Sequence, residues 1–429
     1  VEAVHTLVDH LFRRESGKMV ASLARLFGTH NLDLAEDVVQ ETLLSAVQRW
    51  PFDGVPANPA GWLYQVARRR AIDVMRRQQT FRRFAPELTR QLQSAPEQVA
   101  ETLFLAGEIE DDTLRMMFTC CQPQLSPQSR IALTLNILCG FGTAEIARAL
   151  LANPAAVEKR LTRAKRTVRA HADANGAAAS PDRRQAAARL ESVIAVLYLM
   201  FNEGYNSSFA EHPIRRDVCE EAMRLARLLA NHEVGRGPKT AALMALMCFH
   251  SARFDARTDG DGNILALRSQ DRARWDRGAI AEGFAWLEQS AEGEEPSELH
   301  LEAGLAAQHC LAAAYDDTHW LRIVTLYDYL LAVRPSPLVA LNRAVAVGEL
   351  HGAAAGLEAI LAIEGLDALD GYYLLPAALG EMHLRLGHLG EAERLFARAA
   401  ALTASPAEQQ LLRGKLAASP HADADSPRA

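Results

Sequence analysis

The stretch Thr143–Arg169, TAEIARALLANPAAVEKRLTRAKRTVR, decides how the rest of the chain is read. Two helical patterns meet at Ala152-Asn153-Pro154. Asn153 suits the cap of the second helix, and Pro154 suits its first turn because proline's missing N–H would be unpaired there anyway. In the second helix Val157, Leu161, Ala164 and Val168 form one apolar stripe, leaving Lys159, Thr162, Arg163 and Arg166 to point the other way. In the first helix Ile146 and Leu150 supply a packing side, and Ala147 is small enough for a close crossing. The pattern is a helix-turn-helix with one packed and one basic face, for which a DNA major groove is the natural partner. An ordinary helical hairpin with a solvated basic face has the same pattern, so the motif needs support from elsewhere in the chain.

At 429 residues the chain exceeds one typical domain. A formal net charge of −7 and a pI near 6.1 exclude a molecule that binds polyanions over its whole surface, so nucleic-acid contact must come from local basic stretches. The six cysteines include the vicinal pair Cys120-Cys121 but no CxxC and no Cys/His cluster at zinc spacing, which implies reduced, buried thiols and no metal. There is no Gly-rich phosphate loop and no convincing nucleophile–base set, so neither an enzyme nor a cofactor is expected. No signal peptide is visible and no apolar run approaches the roughly 20 residues that cross a bilayer, which predicts a cytoplasmic protein without membrane contact.

Upstream, residues 5 to 49 carry amphipathic helical spacing through Leu7, Leu11 and Phe12, then Met19, Leu23, Leu26 and Phe27. A third run contains Leu34, Val38, Val39, Leu43, Leu44 and Val47, with Glu36, Asp37, Gln40 and Glu41 on its exposed side. That acidic face is either solvated or docked on a basic protein. After a loop over Pro51–Asn58, Asn58-Pro59 opens a helix with Trp62, Tyr64 and the run Arg68-Arg69-Arg70, followed by Arg76, Arg77, Arg82 and Arg83. Aromatic rings beside a basic helix suit melted nucleic acid, since bases stack while arginines hold phosphates, although Trp62 and Tyr64 also suit a core, and for Trp62 taken alone the core is the better reading. From Ile109 the helical pattern resumes and runs to Gly140-Phe141-Gly142.

AEDVVQETLLSAVQRW (Ala35–Trp50), NPAGWLYQVARRRAIDVMRR (Asn58–Arg77) and TAEIARALLANPAAVEKRLTRAKR (Thr143–Arg166) resemble, in order, regions 2.2, 2.3–2.4 and 4.2 of extracytoplasmic-function sigma factors. The resemblance covers about the first 170 residues. It implies a promoter-specificity subunit partnered with core RNA polymerase, through the beta-prime clamp and beta flap, and with promoter DNA. By position it places Asp37, Gln40 and Glu41 on the clamp-docking helix, Asn58, Trp62, Arg68, Arg69 and Arg76 against the −10 strand, and Ala156, Lys159, Arg160 and Arg163 against the −35 duplex. Arg69 stands where the family commonly has asparagine, so the −10 preference of better-known relatives does not transfer.

Beyond an Ala/Gly/Asp/Pro-containing stretch, 172–189, the chain continues far past the end of a short sigma factor. Asp259-Gly260-Asp261-Gly262-Asn263 fails as a calcium loop, because the required glycine falls on Ile264 and the bidentate glutamate on Gln270. A turn before a short strand, Ile264–Leu267, is expected instead. Leu379-Gly380, Gly387, Ala392, Phe396 and Ala399 match tetratricopeptide spacing, Gly352 begins a weaker copy one repeat earlier, and a degenerate unit includes Trp320 and Tyr327 and ends at Pro335. The whole chain thus resembles the sigma-factor subgroup with a long helical-repeat extension, marked by LYLMFNEGY (Leu197–Tyr205), QDRARWDRGAIAEG (Gln270–Gly283) and SPLVALNRAVAV (Ser336–Val347).

The resulting expectation is an all-α protein with at most one β-hairpin. Its parts are region 2 (1–80), a linker (81–108), region 4 (109–171), a second linker (172–189), a helical-repeat extension (190–415) and a disordered tail (416–429). The extension's concave face suits a protein or peptide partner or an intramolecular contact that regulates the sigma factor. A helix-turn-helix regulator with a ligand- or protein-sensing repeat domain is the alternative, and it leaves the first 80 residues without a role.

Overall fold

The computed structural model describes residues 2–84, 106–149, 152–175, 183–205, 214–260, 263–292, 296–403 and 405–417. Leu150, residues 85–105 and 176–182 of the two expected linkers, and the tail from 418 lie outside the described residues, as do the side chains of Leu7, Phe12, Arg82 and Arg83. The all-α expectation holds: the described elements are helices joined by turns and short 3-10 segments. They form two compact units, residues 1–200 with 227–235 and residues 201–226 with 236–429.

The first unit contains α1 (Glu2–Phe27), α2 (Leu32–Asp53), α3 (Pro59–Phe84), α4 (Ala106–Cys120), α5 (Pro127–Cys139), α6 (Thr143–Ala149), α7 (Pro154–Asn175) and the first part of α8 (Arg183–Tyr205). Helix α1 packs on α2, α4 and α5, and Met19, Leu23 and Phe27 of α1, Val38 and Val39 of α2, Met117 of α4 and Leu135 of α5 are all buried. At Gly17 the α1 backbone runs so close to α5 that an ideal Cβ would lie 2.0 Å from the Leu138 carbonyl oxygen, so only glycine permits this crossing. Helix α2 runs through Pro51 to Asp53, later than the expected loop start, although Pro51 removes one intrahelical hydrogen bond; Gly54, at φ 82°, then donates its N–H to the Trp50 carbonyl. Helix α5 begins with Ser126 accepting from the Ser129 N–H at 3.3 Å and ends on left-handed Gly140.

One part of the expected extension packs with this unit instead. Arg189 of α8 is buried and donates to the Phe118 carbonyl at 3.2 Å, Arg130 donates to the Ser192 hydroxyl at 2.7 Å, and Val193 and Leu197 are buried.

The second unit contains the end of α8, the first part of α9 (Arg216–Asn231), α10 (Pro238–Ser251), α11 (Arg277–Ser290), α12 (Glu298–Leu311), α13 (Trp320–Val333), α14 (Pro337–His351), α15 (Ala353–Leu361), α16 (Leu374–Arg385), α17 (Leu389–Leu402) and α18 (Pro406–Ala417). Helix α10 is buried on all sides from Thr240 to Phe249, with α11 and α12 packed on it. From α12 onward the helices pair as stacked hairpins. Each apolar cluster takes in a residue of the next pair: Ala346 joins Leu301 and Ile323, Met382 joins Leu341 and Ile360, and Leu412 joins Ala392 and Phe396. Gly380 is required where an added Cβ would lie 3.0 Å from the Phe396 ring. The expected strand Ile264–Leu267 does not form. A single antiparallel bridge, Thr258 to Ile264, closes the turn while Asp259 caps Asn263, and Leu267–Ser269 winds into a 3-10 turn.

Candidate nucleic-acid interface

The helix-turn-helix is built as its residues dictate. Asn153 accepts from the Ala155 N–H at 2.9 Å to cap α7, and Glu145 reaches back to accept from the Gly142 N–H at 2.9 Å at the start of α6. Val157, Leu161, Ala164 and Val168 are buried against Ile146, Ala147 and α5. That phase leaves Ala156, Lys159 and Arg163 exposed and Arg160 half-buried, so the four expected −35 residues share the open side of α7 with Thr162 and Arg166.

In α3 the Asn58 side chain accepts from the Gly61 N–H at 2.9 Å, placing an exposed asparagine at the helix entrance. Trp62 is half-buried, packed edge-to-face on buried Trp50 with centroids 5.4 Å apart, so it serves the core and keeps part of its surface open. Arg69 and Arg76 are exposed one and two heptads along the same face, and half-buried Arg68 flanks them. Tyr64 faces inward and donates to Glu15 at 2.5 Å.

On α2, Asp37, Gln40 and Glu41 are exposed together, and Glu41 is paired with Arg70 of α3. Two details depart from the sequence reading. Leu44, placed there in the packing stripe, is 57% exposed, while Leu43 is buried; Leu44 lies one turn beyond Gln40 and supplies an apolar centre to the acidic face. Glu36, placed there on the solvent side, is largely enclosed: Lys165 of α7 donates to both its oxygens at 2.7 Å, and Arg169 pairs with Asp33. Burial raises the Glu36 carboxyl above its ordinary value, and Lys165 opposes the rise. Helix α7 therefore has a third face that engages α2. A polar cleft of about 420 Å³, lined by Ser16, Glu36, Gln40, Asn136, Phe141 and Glu145, lies within the first unit among α1, α2, the end of α5 and the start of α6. Nothing local in the sequence signals these pairs, because the partners are far apart along the chain.

Among the described residues no helix is long and apolar enough to cross a membrane, and no His/Cys/Asp/Glu group is placed to hold a metal ion. All six cysteines are buried.

Residues 11–81 match the family Sigma-70 region 2, residues 115–168 match Sigma-70, region 4, and residues 189–291 match a family of unknown function, DUF6596. The chain is similar to an uncharacterized protein of Rhizobium meliloti (strain 1021), at 36% identity over 398 residues, 92% of each chain. It is also similar to the ECF RNA polymerase sigma factor SigL of Mycobacterium tuberculosis, at 35% identity over 136 residues that make up 32% of this chain and 72% of that protein. No solved structure matches it.

Proposed function

The chain belongs to the extracytoplasmic-function family of RNA polymerase sigma factors, and on that footing we propose that it binds core RNA polymerase and directs promoter-specific initiation. The observation that carries this reading is the presence of three exposed surfaces on one compact unit. An acidic patch centred on Leu44 suits a basic polymerase surface. The Asn58–Trp62–Arg69–Arg76 face suits a melted strand, where arginines meet phosphates and an aromatic edge meets a base. The Lys159–Arg163 face suits a duplex major groove. A ligand-sensing regulator needs only the last of these.

The C-terminal extension regulates this activity in the proposal, and it does so by supporting rather than blocking initiation. Its stacked hairpins leave a groove of about 280 Å³ lined by Leu341, Tyr373, Met382 and Leu412, with the Glu381–Lys415 pair at its rim, which fits a protein or peptide partner or another part of the same chain. Run-off transcription with purified core polymerase tests the central claim. Selective transcription from promoters near its own gene is the expected result; specific DNA binding without polymerase, and no transcription with it, refutes it.

A further inference from the structure

Two of the sequence marks that promoter recognition leaves unused, LYLMFNEGY and QDRARWDRGAIAEG, meet inside the second unit. Tyr205 ends α8, and Gln270, Arg272 and Trp275 precede α11. The end of α10 brings His250, the turn after it Arg253 and Arg257, and α12 brings His309. The Tyr205 and His250 rings are 4.7 Å apart, and the Arg257 guanidinium lies 3.8 Å from the Tyr205 ring centroid. Arg253 and Arg272 lie 5.4 and 4.9 Å from the Trp275 centroid. Cys310 contacts the Phe249 carbonyl and holds α12 on α10 at this level.

The cluster is cationic, and its central members lack a counter-charge. Arg272, 6% exposed, donates to the carbonyls of His309 and Ala312 and to the Thr318 hydroxyl, while Arg253 donates from Nε to Gln270 at 3.1 Å. Neither has an ion-pair partner among the described residues, and Asp317 acts on Arg272 more weakly than the repulsion from Arg253 does. Enclosing guanidinium groups together without a carboxylate is costly. The same residues hold five buried polar atoms without a hydrogen-bond partner: Tyr205 Oη, His250 Nδ1, His309 Nδ1, Arg272 Nε and Trp275 Nε1. Burial, reinforced by Arg253, pushes both imidazoles down to about 3, so near pH 7 each is neutral and keeps one N–H to donate.

Guanidinium, phenol, indole and imidazole donors whose acceptors are missing are complementary to an oxyanion. We propose that the extension carries a binding site for a small oxyanion, a carboxylate or phosphate group, built from Arg253, Arg272, Tyr205, His250, His309 and Trp275. A bound anion offsets the guanidinium charge, satisfies the orphaned donors and ties the end of α8, the end of α10, α12 and the turn before α11 into one block. That gives the extension a chemical input separate from polymerase and DNA.

Calorimetric titration and thermal melting of the full-length protein test this, with inorganic phosphate in one arm and succinate in the other, each against chloride at equal ionic strength. The expected result is saturable binding in at least one arm with a rise in Tm that chloride does not produce; the responding arm identifies the group. Arg253→Gln should weaken that binding about tenfold, the scale of one charge-assisted hydrogen bond. Tyr205→Phe keeps the ring and its packing and should weaken it about threefold, the scale of one neutral hydrogen bond. No binding in either arm overturns the proposal. So does binding unchanged in Arg253→Gln or, should that variant not fold, in Tyr205→Phe.

Discussion

Lys165 on α7 donates to both carboxylate oxygens of Glu36 on α2 at 2.7 Å, tying the second helix of the helix-turn-helix to the acidic helix of the N-terminal bundle. Burial raises the Glu36 carboxyl, Lys165 opposes the rise, and Asp33 and Asp37 add to it. The contact is a latch between α7 and the edge of α2 that carries Asp37 and Gln40.

Opening that latch should favour polymerase binding. Lys165→Ala with Arg169→Ala removes the exposed Arg169–Asp33 pair, worth about 1 kcal/mol or less, and leaves the enclosed Glu36 carboxylate without its partner, at a cost of about 1–3 kcal/mol that the fold should survive. If region 4 must leave α2 before the polymerase docks, affinity for core enzyme should rise by up to about tenfold. Urea unfolding and a core-binding titration on the same variant check both halves.

The exposed acidic face of α2, proposed above to dock on polymerase, should tolerate substitution structurally and fail functionally. Leu44→Ala and Asp37→Lys alter exposed side chains, so stability should move by about 0.5 kcal/mol or less. Affinity for core polymerase should fall in each, more steeply in the pair, whereas normal binding by the folded double variant would return this face to solvent. Glu41→Lys is a less clean probe because Glu41 also holds Arg70.

Arg163→Ala should weaken use of the cognate promoter by about 1–3 kcal/mol if Arg163 reads a base edge. A phosphate contact would instead weaken all sequences alike and lower the salt dependence of binding. Transcription equal to that of the parent protein would show that this exposed face of α7 is not the reading face.

A truncation that tests the extension must keep α8 and residues 227–235 and so is cut after Gly235, because Arg189 bonds to Phe118, Ser192 bonds to Arg130, and residues 227–235 belong to the first unit. The expected outcome is a helical product, by circular dichroism, with reduced promoter-selective transcription. Unchanged activity and promoter choice would make the extension an independent binding module. Ending the chain at Asn175 should destabilise the remaining unit as well, by several kcal/mol, since it removes a buried apolar face.

Acid should weaken the second unit through its histidines. His250 and His309 lie near 3 in the folded protein against an ordinary 6.5, so the unfolded chain holds more protons between those values. Their stabilising effect is fully present above about pH 6.5 and is lost progressively as pH falls towards 3. Thermal unfolding in chloride buffers should show a shallower acid limb in His250→Gln than in the parent protein. An equal slope in the two would mean that His250 takes up no proton on unfolding.

The amino-acid sequence by itself determined the helices, the helix-turn-helix phase and the repeat pairs, because all of these depend on residues a few positions apart. Asn153-Pro154 caps a helix wherever it stands, the stripe from Val157 to Val168 fixes which side of α7 is left exposed, and Gly380 opposite Phe396 follows from repeat spacing. The strand expected at Ile264–Leu267 failed for a local reason, since the turn is closed by the Asp259 side chain and one bridge, leaving no partner strand to pair with. Tertiary structure alone decided the Gly17 crossing, the exposure of Leu44, the pairing of Glu36 with Lys165, the packing of α8 with the first unit, and the meeting of Tyr205, Arg253, Arg272 and His309. Each of these depends on which surfaces face one another after the chain has turned many times. Charge and burial at such points come from neighbours remote in sequence, and periodicity carries no information about them.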